Sequence, residues 1–358
     1  MTEDTLPIRH QLKNISPKSY EHPGDRAATA ALKQIPLLDV AIKKIVELNL
    51  ERLYRQILLG NSVKIGPEQL PHIYSSYQHV LYTLDMPDEY DLYISQTPVP
   101  NAMVFGTTKP IIVLNSGLVS LLDDSQIQAV LAHEVGHILS DHVLYITMMR
   151  ILIFATGLSG ILGLPLWAVQ LALLEWFRAA EFTADRAATL VVRDPMITCR
   201  TMMNLAGGSS SEKFNIDAFI KQAEEYEQWP DGYDKALRFF SEIGTTHPFP
   251  VWRVSEIMKW VKSGDFDRII RGEYRTRDEK IDPAKEASEA ASFYTQRFQD
   301  VMKEVGAGVR NASEQTGESA RGAGQKASES ARDFGKQVGE WLRKNGGEEE
   351  EEKDKEQA

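Results

Sequence analysis

Residues 123–142 read DDSQIQAVLAHEVGHILSDH, and how this stretch folds decides the reading of the rest of the chain. Asp123 and Asp124 are good N-cap types, and Gln126 stands three residues after Asp123, as in a capping box. Ile127, Val130, Leu131, Val135 and Ile138 follow at helical spacing, so the stretch predicts an amphipathic helix. Positions four apart on a helix lie one above the other. His133 and His137 therefore point the same way and can share one ion through their imidazole nitrogens. Glu134 sits beside that ion rather than in its ligand set, where it can accept a proton from an attacking water. Gly136 is expected to leave room close to the metal.

A catalytic zinc takes three protein ligands and keeps one position open. A third histidine from the same helix, as in metzincins, would need Gly at 140 and His at 143, and the chain has Ser140 and Val143 there. His142 should lie well around the helix from the metal face, on the surface or behind the ligands. Glu181 is the better candidate. It belongs to RAAEFTAD, residues 178–185, where Glu181 and Asp185 are four apart on a helix. One carboxylate can then bind zinc while the other hydrogen-bonds a ligand histidine and fixes its tautomer. The small Ala179, Ala180 and Ala184 favour close helix packing. The alternative is an exposed helix in which Asp185 pairs with Arg178 or Arg186.

Outward from this pair, residues 27–90 carry apolar positions at helical spacing, broken at Gly60-Asn61 and Gly66-Pro67. The period then changes. Residues 91–94, 101–105 and 111–114 read as short strands, with Gly106 and Lys109-Pro110 marking a turn. Beyond the apolar stretch 143–177, a helix is expected from about Arg178 to Val192, with more helices to about residue 270. The expected fold is α+β and mainly helical: a zincin-like catalytic domain with a small sheet preceding the His-Glu helix. Residues 1–20 are polar and expected to be flexible, and 21–275 form the catalytic domain. Residues 276–358 form a low-complexity tail, helical or disordered, with an acidic end.

Composition agrees with a globular enzyme of 358 residues, 42% hydrophobic and 25% charged. The formal charge of −11, without a basic block, gives no electrostatic reason to expect nucleic-acid binding. Cys199 is the single cysteine, so no internal disulfide or cysteine metal cluster is possible, and it is expected in the core. The N-terminus lacks an apolar signal segment, which with the cysteine usage fits a cytoplasmic setting.

HEVGH followed by Glu-x-x-x-Asp resembles the gluzincin metallopeptidases, and more closely the HtpX-like and CAAX prenyl protease family. Asn101-Ala102-Met103-Val104 matches a segment that precedes the metal helix in that family. Ile111–Leu114 with Gly117-Leu118 matches its strand and Gly-Leu, and His247-Pro248 with Arg253 matches its His-Pro element. Met103 and Val104 depart mildly from the family's usual residues. The resemblance implies a zinc metalloendopeptidase acting on protein or peptide substrates, with one Zn2+ per subunit held by His133, His137 and Glu181. It implies that Asn101, Ala102 and Met103 belong to an edge strand that pairs with substrate. It places His247 near the open metal position, as a catalytic oxyanion donor or a cap, and Arg253 near that loop or the substrate. Protein quality control is the implied setting. A non-catalytic binding protein and another class of zinc hydrolase are the rival readings; the oligomeric state is not legible.

Residues 151–174 form an uncharged run of 24, long enough to suggest a membrane span. His137 precedes it and Glu181 follows it, so if both touch one ion the chain must return to the side it left. Gly157, Gly160, Gly163 and Pro165 suggest a hairpin turn, with arms of roughly 21–24 Å, short of a full crossing. Two readings stay open. The hairpin dips into the cytoplasmic face of the cell membrane, with Tyr145, Trp167 and Trp176 as interfacial anchors, or it packs on protein.

Overall fold

A computed structural model of the chain describes residues 10–32, 50–159, 164–208, 213–228 and 247–279. These residues fall within one unit made of residues 1–228 and 245–282, and the segments 229–244 and 283–358 form another that lies outside the description. The acidic tail, residues 160–163, where a hairpin turn was expected, and the side chains of 152–175, Trp167 among them, also lie outside it.

The sheet has four strands in the order β1 (Ser62–Lys64), β2 (Asp91–Ser95), β4 (Ile111–Asn115), β3 (Ala102–Phe105). β2 and β4 run parallel, and β1 and β3 pair antiparallel at the two edges. β4 reads as an unbroken apolar run because both its faces are covered. Ile111, Val113, Tyr93 and Met103 turn to one side, against Leu58 and Tyr54 of helix α2 (Leu50–Asn61). Leu92, Ile112, Leu114 and Val104 alternate to the other side and are buried. The expected strands are all present; β1 is an addition, and it follows directly on the Gly60-Asn61 break.

Helix α3 (Pro71–Thr83) and the short α4 (Ser116–Leu121) precede α5, Asp124–Leu139, whose N-terminus carries the expected capping box between Asp123 and Gln126. Helix α6 (Val143–Ser159) leaves the site and α7 (Leu164–Val192) returns to it. α7 is one helix of 29 residues rather than a separate element starting near Arg178. Pro165 lies in its first turn, where a missing N–H costs nothing, and no breaker stands between it and Val192. Three further helices, α8 (Pro195–Gly207), α9 (Ile216–Glu227) and α10 (Pro250–Lys262), meet around Cys199, Met202, Ala223, Val254 and Ile257. Cys199 is buried there as a free thiol. Helix α11 (Asp265–Ile270) is the last of the described helices.

The amino-terminal residues that are described are packed, contrary to the flexible segment expected for 1–20. Leu12, Ile15 and Tyr20 are buried. Ile15 forms a β-bridge with Thr276, and Tyr20 leads through His22 into helix α1 (Pro23–Leu32). Polar neighbours concealed a short apolar set that is spaced too irregularly to show a period.

α5 and α7 cross at their small residues. A Cβ on Gly136 would stand 2.7 Å from the Ala187 Cβ and 3.5 Å from the Ala184 Cα. Gly136 therefore makes room for the neighbouring helix rather than for the ion.

Candidate active site

The crossing of α5 over α7 brings His133, His137 and Glu181 together. His133 Nε2 lies 3.1 Å from His137 Nε2. Glu181 presents Oε2 at 3.4 Å from His133 Nε2 and Oε1 at 3.2 Å from His137 Nε2. Zinc bonded to nitrogen or oxygen at about 2.0–2.1 Å in a tetrahedron separates its ligand atoms by roughly 3.3–3.4 Å. The three observed separations fit that requirement. Glu181 is only 1% exposed, and its buried Oε2 has no hydrogen-bond partner. Arg253 Nη1 stands 3.4 Å from that oxygen, near enough for attraction but outside hydrogen-bond geometry. An acceptor left in this state inside a protein is costly unless a cation takes it.

Electrostatics point the same way. Burial works against a charge on Glu181, but His247, His133 and Arg253 around it hold its carboxyl well below the usual carboxylate range. Burial also opposes a charge on His133, yet Glu181 and Asp185 push it up to about 10. His137 goes the other way: burial takes it down to about 3, and the charge on His133 adds to that effect. The cluster attracts positive charge to the point where the two Nε2 atoms face each other.

Asp185 takes its expected place behind the first histidine. Its Oδ1 lies 3.0 Å from His133 Nδ1, so with Nε2 turned to the ion site the Nδ1–H donates to Asp185. Its cationic partner is neither Arg178 nor Arg186 but Arg253 of α10, which donates from Nε to Asp185 Oδ2 at 2.8 Å and from Nη2 to Oδ1 at 2.5 Å. Arg253 was expected to orient the loop or to meet substrate. It is 7% exposed and fully engaged by buried carboxylates, which makes it an internal clamp instead.

Glu134 is buried next to the ligand pair, and burial raises its pKa. His247 precedes α10 with its side chain one-third exposed, its Nε2 3.9 Å from Glu181 Oε1 and its ring against Phe177.

Asn101 lies immediately before β3, and Ala102 and Met103 begin it, on the edge of the sheet as expected. Asn101 O is turned inward, accepting from Asn115 N, so the even-numbered residues present their backbone groups outward. Helix α6 already occupies part of that edge. Arg150 donates to Val104 O, and the Thr147 hydroxyl accepts from Gly106 N and donates to Gly106 O. Ala102 is the next outward-facing position in this register. Arg150 and Thr147 went unnoticed in the sequence because nothing local marks a polar residue on an apolar helix as a partner of a distant strand.

His142 was expected on the surface or behind the ligands. The surface alternative fails: it is 2% exposed, with Nδ1 3.0 Å from His137 Nδ1. The helical phase does not extend to it. α5 ends at Leu139, Asp141 takes a left-handed φ of 58°, and the chain folds back so that His142 N donates to His137 O. Trp176 is likewise no interfacial anchor. It is fully buried against His142 and Tyr145, and its indole N–H donates to Thr29.

Comparison with known proteins adds the following. A model of peptidase family M48 matches residues 67–261. The chain is 33% identical over 272 residues to the plastoglobule-localized metallopeptidase 48, chloroplastic, of Arabidopsis thaliana, covering 72% of this chain and 77% of that one. It is 25% identical over 221 residues to a protease HtpX homolog of Tropheryma whipplei strain Twist, covering 54% and 73% respectively. A protease HtpX homolog 2 of Methanosarcina acetivorans is 22% identical over 170 residues, covering 40% and 58%. No solved structure matches the chain.

Proposed function

The chain belongs to peptidase family M48, a family of metallopeptidases, and on that premise we propose that it is a zinc endopeptidase in which His133, His137 and Glu181 hold one ion and Glu134 is the general base. The observation that carries the reading is the convergence of three buried donor atoms, from two helices, at separations of 3.1, 3.2 and 3.4 Å. Zinc bound there supplies positive charge that brings the pKa of water to about 7 and polarises the scissile carbonyl.

The protein's own residues do the rest. Glu134 takes the proton of the attacking water and returns it to the departing amine, a cycle favoured by the raised pKa that burial gives it. His247, beside Glu181 and partly open to solvent, donates to the oxyanion as it develops. A substrate strand adds to β3 at its Ala102 end, with Asn101 and Met103 beside it, since the Val104 and Gly106 positions are held by α6. Asp185, clamped by Arg253, keeps His133 in the tautomer that turns Nε2 to the ion. We take residues 21–275, together with the packed segment from residue 10, as the catalytic domain and 276–358 as the tail.

The Glu134→Gln variant is expected to bind one zinc per chain as the wild type does and to lose about three or more orders of magnitude of casein cleavage. Substantial residual cleavage by that variant would end the assignment of Glu134.

The setting is a protein surface facing the cytoplasm and lying on a membrane or other lipid surface, where quality control of proteins is the role we favour. The uncharged run 151–174 supports this, and the Arabidopsis relative is named for the plastoglobule. Among the described residues no helix is long and apolar enough to cross a membrane. Release of the full chain from cell membranes by carbonate, with retention at neutral pH and low salt, is the expected result. Complete recovery in the soluble fraction without carbonate would remove the lipid contact.

A further inference from the structure

The two ligand histidines are supported unequally. His133 has an aspartate directly behind it, whereas His137 has another histidine. His137 Nδ1 lies 3.0 Å from His142 Nδ1, and His142 Nε2 lies 2.9 Å from Asp25 Oδ2. With His137 Nε2 turned to the ion site, its Nδ1 carries the hydrogen and donates it to the Nδ1 lone pair of His142. The His142 hydrogen must then sit on Nε2, where it donates to Asp25. One placement of hydrogens satisfies every contact: His137 Nδ1–H donates to His142 Nδ1, and His142 Nε2–H donates to Asp25 Oδ2.

Asp25 is built to stay an acceptor. It is 0% exposed, sits in the first turn of α1, and also accepts from Thr183 Oγ1 at 2.7 Å and Thr29 Oγ1 at 3.2 Å. The Thr183 hydroxyl in turn accepts from His22 N at 3.0 Å, and Trp176 Nε1 donates to Thr29 Oγ1 at 2.8 Å. A buried carboxylate with this many donors at a helix N-terminus is rigid and cheap to keep charged. A neutral core histidine alone needs none of this.

We infer that Asp25 and His142 are positioning residues for the metal centre, a two-step relay that fixes the tautomer and orientation of His137 from the amino-terminal helix. The relay rests on the zinc reading above. It gives His137 through an intermediate ring what His133 receives directly from Asp185, so that each histidine ligand is backed by an aspartate. It also makes α1, which supplies no ligand, a part of the metal site.

The test is zinc affinity of the full-length chain, measured by competition with a chromogenic chelator, beside thermal unfolding of the metal-free forms. His142→Leu is expected to weaken zinc binding about 10- to 100-fold, the usual effect of removing a group that orients a ligand. His142→Gln, whose amide offers an acceptor and a donor on one flat group, is expected to recover most of that loss. Asp25→Asn is expected to fall between them. Cobalt-substituted protein should shift its visible absorption bands in the Leu variant and return toward the wild-type spectrum in the Gln variant. Equal zinc affinity in wild type and His142→Leu overturns the relay, even if the metal-free variant unfolds at lower temperature. So does a loss in His142→Leu that the Gln variant shares in full. If His142→Leu fails to fold, the comparison of Asp25→Asn and His142→Gln with wild type decides by the same readings. Wild-type protein that binds no zinc would instead defeat the metal assignment itself.

Discussion

Replacing Gly136 by alanine adds one methyl group at the place where α5 and α7 touch. That methyl would stand 2.7 Å from the Ala187 Cβ, against a comfortable carbon–carbon separation of about 3.5–4.0 Å. The helices must therefore part by roughly 1 Å at the crossing, because the obstacle is a Cβ fixed to its own backbone. Overpacking of this kind costs about 1–3 kcal/mol, or some 2–12 °C of unfolding temperature for a unit of this size. The metal site feels it more sharply than the fold. His133 and His137 ride on α5 and Glu181 on α7, so a shift of about 1 Å is half the length of a zinc–ligand bond. Zinc affinity measured by chelator competition should fall about 10-fold or more in Gly136→Ala. A second change, Ala187→Gly, removes the opposing methyl and should restore zinc affinity. It should not restore full stability, since glycine inside a helix costs about 1 kcal/mol relative to alanine. Unchanged zinc affinity in Gly136→Ala, or a loss that Ala187→Gly does not relieve, would refute the claim that helix separation sets the site.

Two other perturbations follow from the buried charges. Arg253→Met leaves Asp185 and Glu181 without their cation, and breaking a buried pair from one side costs about 3–5 kcal/mol. The loss measured by urea unfolding should be larger in metal-free than in zinc-loaded protein, because the ion partly replaces the missing charge, and equal losses would count against the clamp. Glu256 gives a pH dependence away from the site. Burial works against its charge, but the hydrogen bond from His22 and the charges of His22 and Lys259 lower its pKa to about 2. A carboxylate depressed on folding stabilises above its unfolded value of about 4.5 and loses that contribution as pH falls toward 2. The amount at stake is about 2–3 kcal/mol. Glu256→Gln should therefore flatten the fall in stability between pH 4.5 and 2, and an unchanged acid profile would contradict it.

What the sequence made legible was local. The capping box at Asp123, the four-residue spacing of His133 and His137, and that of Glu181 and Asp185 are properties of single helices, and helical geometry is the same in every fold. The return of the chain from α6 to α7 was also available, because two ligands on either side of an apolar run impose it. Contacts across long sequence separations were not. Asp25 meets His142 only because α1 lies along α7, and no pattern within residues 21–32 distinguishes that aspartate from an ordinary helix-start acid. His142 was left open between the surface and a place behind the ligands for a different reason: a helix wheel was extended three residues past the end of α5 at Leu139, although Asp141 reverses the backbone. Gly136 was assigned to the right neighbourhood but the wrong neighbour, since the space it opens is claimed by Ala187. All three cases have one cause. The residues we propose as ligands could be found by spacing, because an ion demands a fixed separation between its ligands. The residues that hold the coordinating side chains still answer only to packing, and packing joins α1, α5, α7 and α10 around the same few cubic ångströms. Charge bears on why they converge there: Glu134, Glu181 and Asp185 are all buried around the crossing, with Arg253 held between Glu181 and Asp185. A divalent ion held as we propose would add positive charge among these carboxylates, at the point where His133, His137 and Glu181 meet.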